Sequence, residues 1–130
     1  PVIIFDTLYG SHEWKIFAMF ITNTLKSDGA IFDYRQPEYP SPEAFLEFIK
    51  QVKRRSLVNC PVDVGASDRI ITLSTCTYEI AEARFVVMAR LVRPGEDPHV
   101  DASLAKKNNK VLYPAGWYKK YGGKMPVFGD

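Results

Sequence analysis

Thr72-Leu73-Ser74-Thr75-Cys76, followed eight residues after the cysteine by Arg84-Phe85-Val86-Val87, decides how this chain is read. Ile70-Ile71-Thr72-Leu73, ahead of the thiol, is β-branched and apolar, the composition of a strand. Arg84 to Val92 reads as a second strand, with Phe85, Val87, Ala89 and Leu91 on one face. The short loop between them predicts Cys76 at the exit of one strand and Arg84 at the start of the next. A thiol at a strand end is held rigidly and stays reachable. A guanidinium nearby can hold a developing oxyanion or a substrate carbonyl. Strand alternation puts Thr72, Ser74 and Cys76 on one face and Ile71, Leu73 and Thr75 on the other. A thiol that shares its face with hydroxyls suits a polar groove better than an oily core. The plainer readings are a small buried hydrophobe for Cys76 and a surface arginine ending a strand for Arg84.

Upstream of this pair, Val2 to Phe5 reads as a strand and Asp6 to Glu13 as a turn region containing Gly10. Trp14 to Thr24 is a long strand with Ile16, Ala18 and Phe20 on one face and Phe17, Met19 and Ile21 on the other. Two apolar faces predict burial on both sides. Lys26 to Tyr39 is a loop with Asp28-Gly29 as its turn signal. Ser41-Pro42-Glu43 starts a helix over 42–56: serine as N-cap, proline in the first turn, an acid at the positive end of the dipole. Phe45, Leu46, Phe48, Ile49 and Val52 form its apolar stripe. Lys50, Lys53, Arg54 and Arg55 fall late, where cations suit the dipole. They read as a solvated helix end, with an anionic polymer or membrane surface as the other partner such cations could meet. Val58 to Asp68 is a loop. From Glu96 the chain is polar, then punctuated by proline and glycine, an irregular tail with room for one short helix. Trp117, Tyr118 and Tyr121 read as pinning that tail to the body.

With 130 residues, 46% hydrophobic and 25% charged, the chain fits one ordinary globular domain. A net charge of +2 is too small to argue for nucleic acid. No apolar run approaches the roughly 20 residues needed to cross a bilayer, and no signal peptide is visible. The chain opens directly on a strand-like run, a start that looks cut. Cys60 and Cys76 could form a disulfide in an extracellular domain, but a bridge would consume the thiol that the motif presents. Two distant cysteines with His12 and His99 offer no pair at ligand spacing, so no metal site is expected.

Thr72 to Cys76 with Arg84 to Val87 resembles the sortases, cysteine transpeptidases of Gram-positive cell surfaces, and class B most closely. Pro1 to Tyr9 and Trp14 to Ala18 are similar to two earlier strands of that family. Asn108 to Gly123, with Tyr113-Pro114 and Trp117-Tyr118, resembles a tail carried by some members. The resemblance implies a mainly β fold with one helix, the C-terminal part of a sortase-type β-barrel. It implies a single catalytic domain over 1–130, N-terminally incomplete, with 94–130 packed on the body as a tail. It implies Cys76 as nucleophile, Arg84 as the group that stabilises the oxyanion or orients the peptide, and Ser74 and Thr75 as substrate contacts. The expected reaction is cleavage of a sorting-signal peptide through a thioacyl intermediate and its ligation to an amine of the cell wall or a pilin. The expected place is the extracellular face of the membrane, anchored by an N-terminal segment not in this chain. Sortases also use a histidine, which lies ahead of the segment matching Pro1 to Thr7. Neither His12 nor His99 has that histidine's neighbours, so the chain alone is expected to be inactive. A barrel lacking early strands leaves unpaired edges, so self-association is expected too. The resemblance implies no cofactor and no metal. A sortase-like surface module that binds peptide without cutting it is the alternative.

Overall fold

The computed structural model describes residues 2–7, 10–35, 38–78, 80 and 82–129. Four strands form one curled antiparallel sheet: β1 (Val2–Thr7), β2 (Gly10–Thr22), β4 (Ile70–Thr77) and β5 (Ala83–Leu91), in the order β1-β2-β5-β4. A helix, α1 (Pro42–Arg55), crosses one face. A second helix, α2 (Ala115–Tyr121), is the short one for which the tail had room, so the architecture is mainly β with two helices.

β1 and β2 are a hairpin whose register closes at Thr7 opposite Gly10. The turn expected over 6–13 is therefore mostly strand, and its centre, Leu8 and Tyr9, lies outside the described residues. Polar Asp6, Ser11 and Glu13 hid the strand from a reading based on apolar alternation, because backbone pairing across the hairpin does not depend on them. The loop expected over 58–68 is corrected at its start, where a short strand, β3 (Val58–Asn59), pairs with β6 (Lys106–Lys107). That pairing joins positions nearly fifty residues apart, and local composition carries no trace of it.

α1 starts as its sequence demands. The Ser41 hydroxyl accepts the Ala44 N–H at 3.1 Å, with Pro42 and Glu43 in the first turn. Phe45, Phe48, Ile49 and Val52 are buried against Phe17, Ala18, Phe20, Val86 and Met88 of the sheet. Each such side chain contributes about 1.5–3 kcal/mol by leaving water. A β-bulge between Ile16 and Ala18 lets the neighbours Phe17 and Ala18 join the same cluster under α1, which strict alternation forbids. On the opposite face, Ile21, Ile80 and Ala83 form a second cluster with Phe85, Tyr113 and Trp117. Tyr113 and Trp117 stack with centroids 4.1 Å apart. Asn108 donates to the Ser56 carbonyl at 2.8 Å, and the Leu112 N–H to that of Arg54 at 2.9 Å, so the tail is hydrogen-bonded to the end of α1.

A charged cluster fixes the loop that leads into β4. Arg90, 1% exposed, donates twice to Glu96, at 2.7 Å each, and through Nε to the Asp63 carbonyl at 2.6 Å. Lys15 reaches the same Glu96 carboxylate at 3.2 Å. Arg93 grips Asp68 with two bonds of 2.9 and 2.6 Å. The hydrogen bonds from Arg90 and Lys15 hold the Glu96 carboxyl well below the usual carboxylate range, and that from Arg93 lowers Asp68. Asp63 and Asp68 are thereby locked to the exit of β5.

Candidate active site

Cys76 and Arg84 are register partners across β4 and β5. Directly opposed residues of an antiparallel pair project to the same face with Cβ atoms about 5 Å apart, so both side chains start from neighbouring points on one face. Arg84 is held by an Nη1 bond to the Ala83 carbonyl at 3.2 Å, which uses one of its five N–H donors. It also pairs with Thr22 of β2, which places the site at one end of the sheet.

Ile70, Thr72 and Ser74 of β4 share that face and line a groove of about 620 Å³. Trp14, Tyr34, Tyr39 and Phe45 provide aromatic walls, and Arg35, Asp68 and Arg69 polar ones. A second cleft of about 390 Å³ contains Arg84 with Asn23, Thr24 and Phe32, and shares Tyr34 and Arg35 with the groove. Cys76 follows Ser74 by two residues on the same face of β4, beyond the end of the groove lining. Among the described residues, the Trp14 Nε1 and the Tyr39 hydroxyl are buried without a hydrogen-bond partner, and both residues line the groove. Burial, aided by Asp33, pushes the Tyr39 hydroxyl up to about 12, so it stays a protonated donor. An extended ligand carrying carbonyl oxygens would satisfy both atoms.

Ser74 is exposed and lies 3.0 Å from the Tyr34 hydroxyl, a bond that spans the groove. Thr75 pairs with Phe85 and, by alternation, projects to the face away from the thiol. The two hydroxyls named as substrate contacts are thus not brought together. Cys60 and Cys76 are both free, so no bridge joins them. Cys76 is exposed. Cys60 is half-buried, and burial pushes its thiol up. His12 pairs with Phe5 at the start of β2, ten residues from Thr22. At about 3.3 Å per residue, that is roughly 30 Å along the strand from the thiol end. His99 lies in the exposed stretch beyond the exit of β5, the end remote from Arg84. Among the described residues no group of three His, Cys, Asp or Glu side chains could hold a metal ion.

Composition did not single out Tyr34 and Arg35, the residues that divide groove from cleft. A signal was present: Phe32-Asp33-Tyr34-Arg35 alternates apolar and charged, the period of an extended chain. Phe32 and Tyr34 pack edge-on against Phe20 at 5.9 and 6.1 Å. That anchors the segment over the groove.

The arrangement is a strand-end thiol opposed to an arginine, on a curled sheet beside an aromatic-walled groove. No family model matches the chain. Curated relatives do. Sortase B of Staphylococcus aureus is 31% identical over 94 residues, and sortase B of Listeria monocytogenes 33% over 94; these cover 71% of this chain and 36% of each relative. A Staphylococcus aureus sortase B–substrate complex superposes with a TM-score of 0.60 at 32% identity, covering 71% of this chain and 41% of that one. A sortase B complexed with triglycine superposes at 0.57 and 32% identity, with the same coverage. The chain is therefore sortase-like, of class B, in sequence and in fold. It spans little more than a third of the length of the curated relatives it matches.

Proposed function

We propose that this chain carries the nucleophile and the oxyanion-side arginine of a cysteine transpeptidase. The pairing of Cys76 with Arg84 on the groove face of the sheet carries this reading. The Cys76 thiolate attacks the carbonyl carbon of a sorting-signal peptide bound in extended form along Ile70, Thr72 and Ser74. Negative charge collects on the carbonyl oxygen, where Arg84 donates to it. The C–N bond breaks, and the departing amine takes a proton from a general acid, leaving a thioester on Cys76. An acceptor amine then attacks the thioester, loses a proton to a base and expels the thiolate. Ser74 contacts the peptide, and Thr75 supports the strand from behind. The acceptor is an amine of the cell wall or a pilin, and the site works at the outer face of the membrane. Relatives solved with substrate and with triglycine support peptide and amine as the two ligand classes.

Neither histidine of this chain lies where it could protonate the leaving amine, and that favours a second reading, a peptide-binding module that does not cut. A peptide library bearing a vinyl sulfone, offered to the wild type and to Thr72→Trp, separates the two from a site that binds nothing. The transpeptidase reading expects adducts on Cys76, slowed by Thr72→Trp, while labelling by iodoacetamide is unchanged. Peptide retention without any Cys76 adduct supports the binding module. Equal slowing of both reagents, or no peptide selectivity, contradicts a peptide groove.

A further inference from the structure

Next to the rung Cys76–Arg84–Thr22 lies the rung Thr75–Phe85–Ile21, whose side chains project to the opposite face of the sheet. The tail covers that back face. Ile21, Ile80 and Ala83 are buried there, with Phe85, Tyr113 and Trp117 packed against them. Tyr113 and Trp117 stack with their planes 5° from parallel. The Tyr118 hydroxyl accepts the Tyr113 N–H at 3.1 Å and donates to the Val111 carbonyl at 3.3 Å, which fixes the stack from within the tail. Ile80 belongs to the loop that carries the chain from Cys76 to Arg84. In the same loop Glu82 stands at φ 57, and its carbonyl accepts the Thr24 hydroxyl. A non-glycine residue in the left-handed region persists where its surroundings over-determine it. Here Thr24 holds one side of the loop, and the tail holds Ile80 on the other. α2 also packs against the turn that borders the Arg84 cleft. A Cβ on Gly29 would come within 2.8 Å of the Ala115 Cβ, and the Lys119 Nζ reaches the Ser27 carbonyl at 3.4 Å. Asn23, which lines the cleft, ties that turn to the end of β2 by donating to the Leu25 and Gly29 carbonyls at 2.9 and 3.0 Å.

We infer that Trp117, with the Tyr113 ring stacked on it, is a positioning residue for Arg84, acting from the back of the sheet. The inference rests on the reading of Cys76 and Arg84 given above. Ala83 and Phe85 flank Arg84 in β5, and both sit in the cluster that the two rings cover. The Arg84 Nη1 donates to the Ala83 carbonyl at 3.2 Å, and Ala83 is 1% exposed. The guanidinium is thus anchored to a residue that the tail packs in place. A loss of ring packing behind β5 moves the backbone that carries Arg84 and its anchor together. Misplacing a group that must meet the transition state by about 1 Å costs about 10²-fold in rate.

Acylation of Cys76 by a peptide thioester passes through an oxyanion yet needs no proton for its leaving group, so it reads the placement of Arg84 in the 130-residue chain. Trp117→Ala should lower the maximal acylation rate by about tenfold to about 10²-fold at an unchanged half-saturating concentration. Trp117→Phe should restore most of it. Labelling of Cys76 by iodoacetamide, which forms no oxyanion, should keep its rate. In an Arg84→Lys background, Trp117→Ala should cost about twofold or less, because the group it positions is gone. Should Trp117→Ala fail to fold by circular dichroism, Trp117→Leu carries the same cycle. Hydrogen exchange read by mass spectrometry adds a measure free of activity: exchange should quicken over 83–87 and stay unchanged over 45–52. Equal slowing in both backgrounds, iodoacetamide slowed by the same factor, or exchange that rises evenly along the chain would overturn the assignment and make Trp117 general packing. A wild type that no thioester acylates would refute the reading of the site instead, with a local rise in exchange still placing the support at Arg84.

Discussion

Replacing Glu96 by glutamine removes one negative charge from a cluster that is otherwise satisfied. Its two carboxylate oxygens accept from Arg90 at 2.7 Å each, from Lys15 at 3.2 Å and from the Arg93 N–H at 3.0 Å. Arg90 is 1% exposed. After the substitution its remaining anion is Asp63, which is 79% exposed, 3.5 Å away and already shared with Arg93. Removing one partner of a buried pair costs about 3–5 kcal/mol. The surviving Asp63 contact argues for the lower end, about 3 kcal/mol. For a domain of this size that lowers Tm by roughly 10 °C. The pH dependence has a definite sign. The folded-state pKa of Glu96 is depressed, so its contribution is fully present above the unfolded value near about 4.3 and is lost as pH falls toward the folded value. Urea unfolding of both proteins, followed by tryptophan fluorescence at pH 7 and at pH 3, should show a gap of about 3 kcal/mol that narrows at the lower pH. A gap below about 1 kcal/mol at pH 7, or one that does not narrow, would refute the cluster as the clamp on the loop before β4.

Iodoacetamide labelling followed by peptide mapping should modify Cys76 well before Cys60, because Cys76 is exposed and burial pushes the Cys60 thiol up; preferential labelling of Cys60 would reverse the assignment. Arg84→Lys should slow thioacyl formation by about 10²–10³-fold, the loss of one oxyanion donor, with circular dichroism unchanged, since an ammonium cannot reproduce the fork; a near-normal rate would make Arg84 structural. His12→Ala should leave thiol acylation unaltered, and a large drop would mean that the strand distance misleads.

The opposition of Cys76 to Arg84 was legible because it rests on local signals. Ile70 to Cys76 and Arg84 to Val92 carry strand composition, and the short loop between them forces an antiparallel pair. The register that opposes Cys76 to Arg84 follows from that geometry. α1 was legible for the same reason: Ser41, Pro42 and the Phe45–Val52 stripe are all contained in one stretch. What escaped depends on contacts far apart in sequence. Tyr34 meets Ser74 across forty residues, and Arg90 meets Asp63 across twenty-seven. Arg90 reads in sequence as one more polar position in a strand, yet it is among the most deeply buried side chains, tolerable only because Glu96 and Asp63 arrive from other segments. The bulge at Ile16/Ala18 likewise responds to packing against α1, not to any residue that marks a bulge.

The central claim is that Cys76 is an acyl-accepting nucleophile served by Arg84, with neither His12 nor His99 placed to protonate a leaving amine. Peptide thioesters separate these parts, because a thiolate leaving group needs no proton whereas an amine does, and general acid help is worth about 10²–10⁴-fold. The direct measurement offers a positionally randomised tetrapeptide library to the 130-residue chain, once as thioesters and once as amides, and reads intact mass and the modified residue. The account predicts acyl adducts on Cys76 from thioesters, slowed in Arg84→Lys, and none from amides. Acylation of Cys60, thioester rates indifferent to Arg84, or efficient cleavage of the amides by this chain would contradict it.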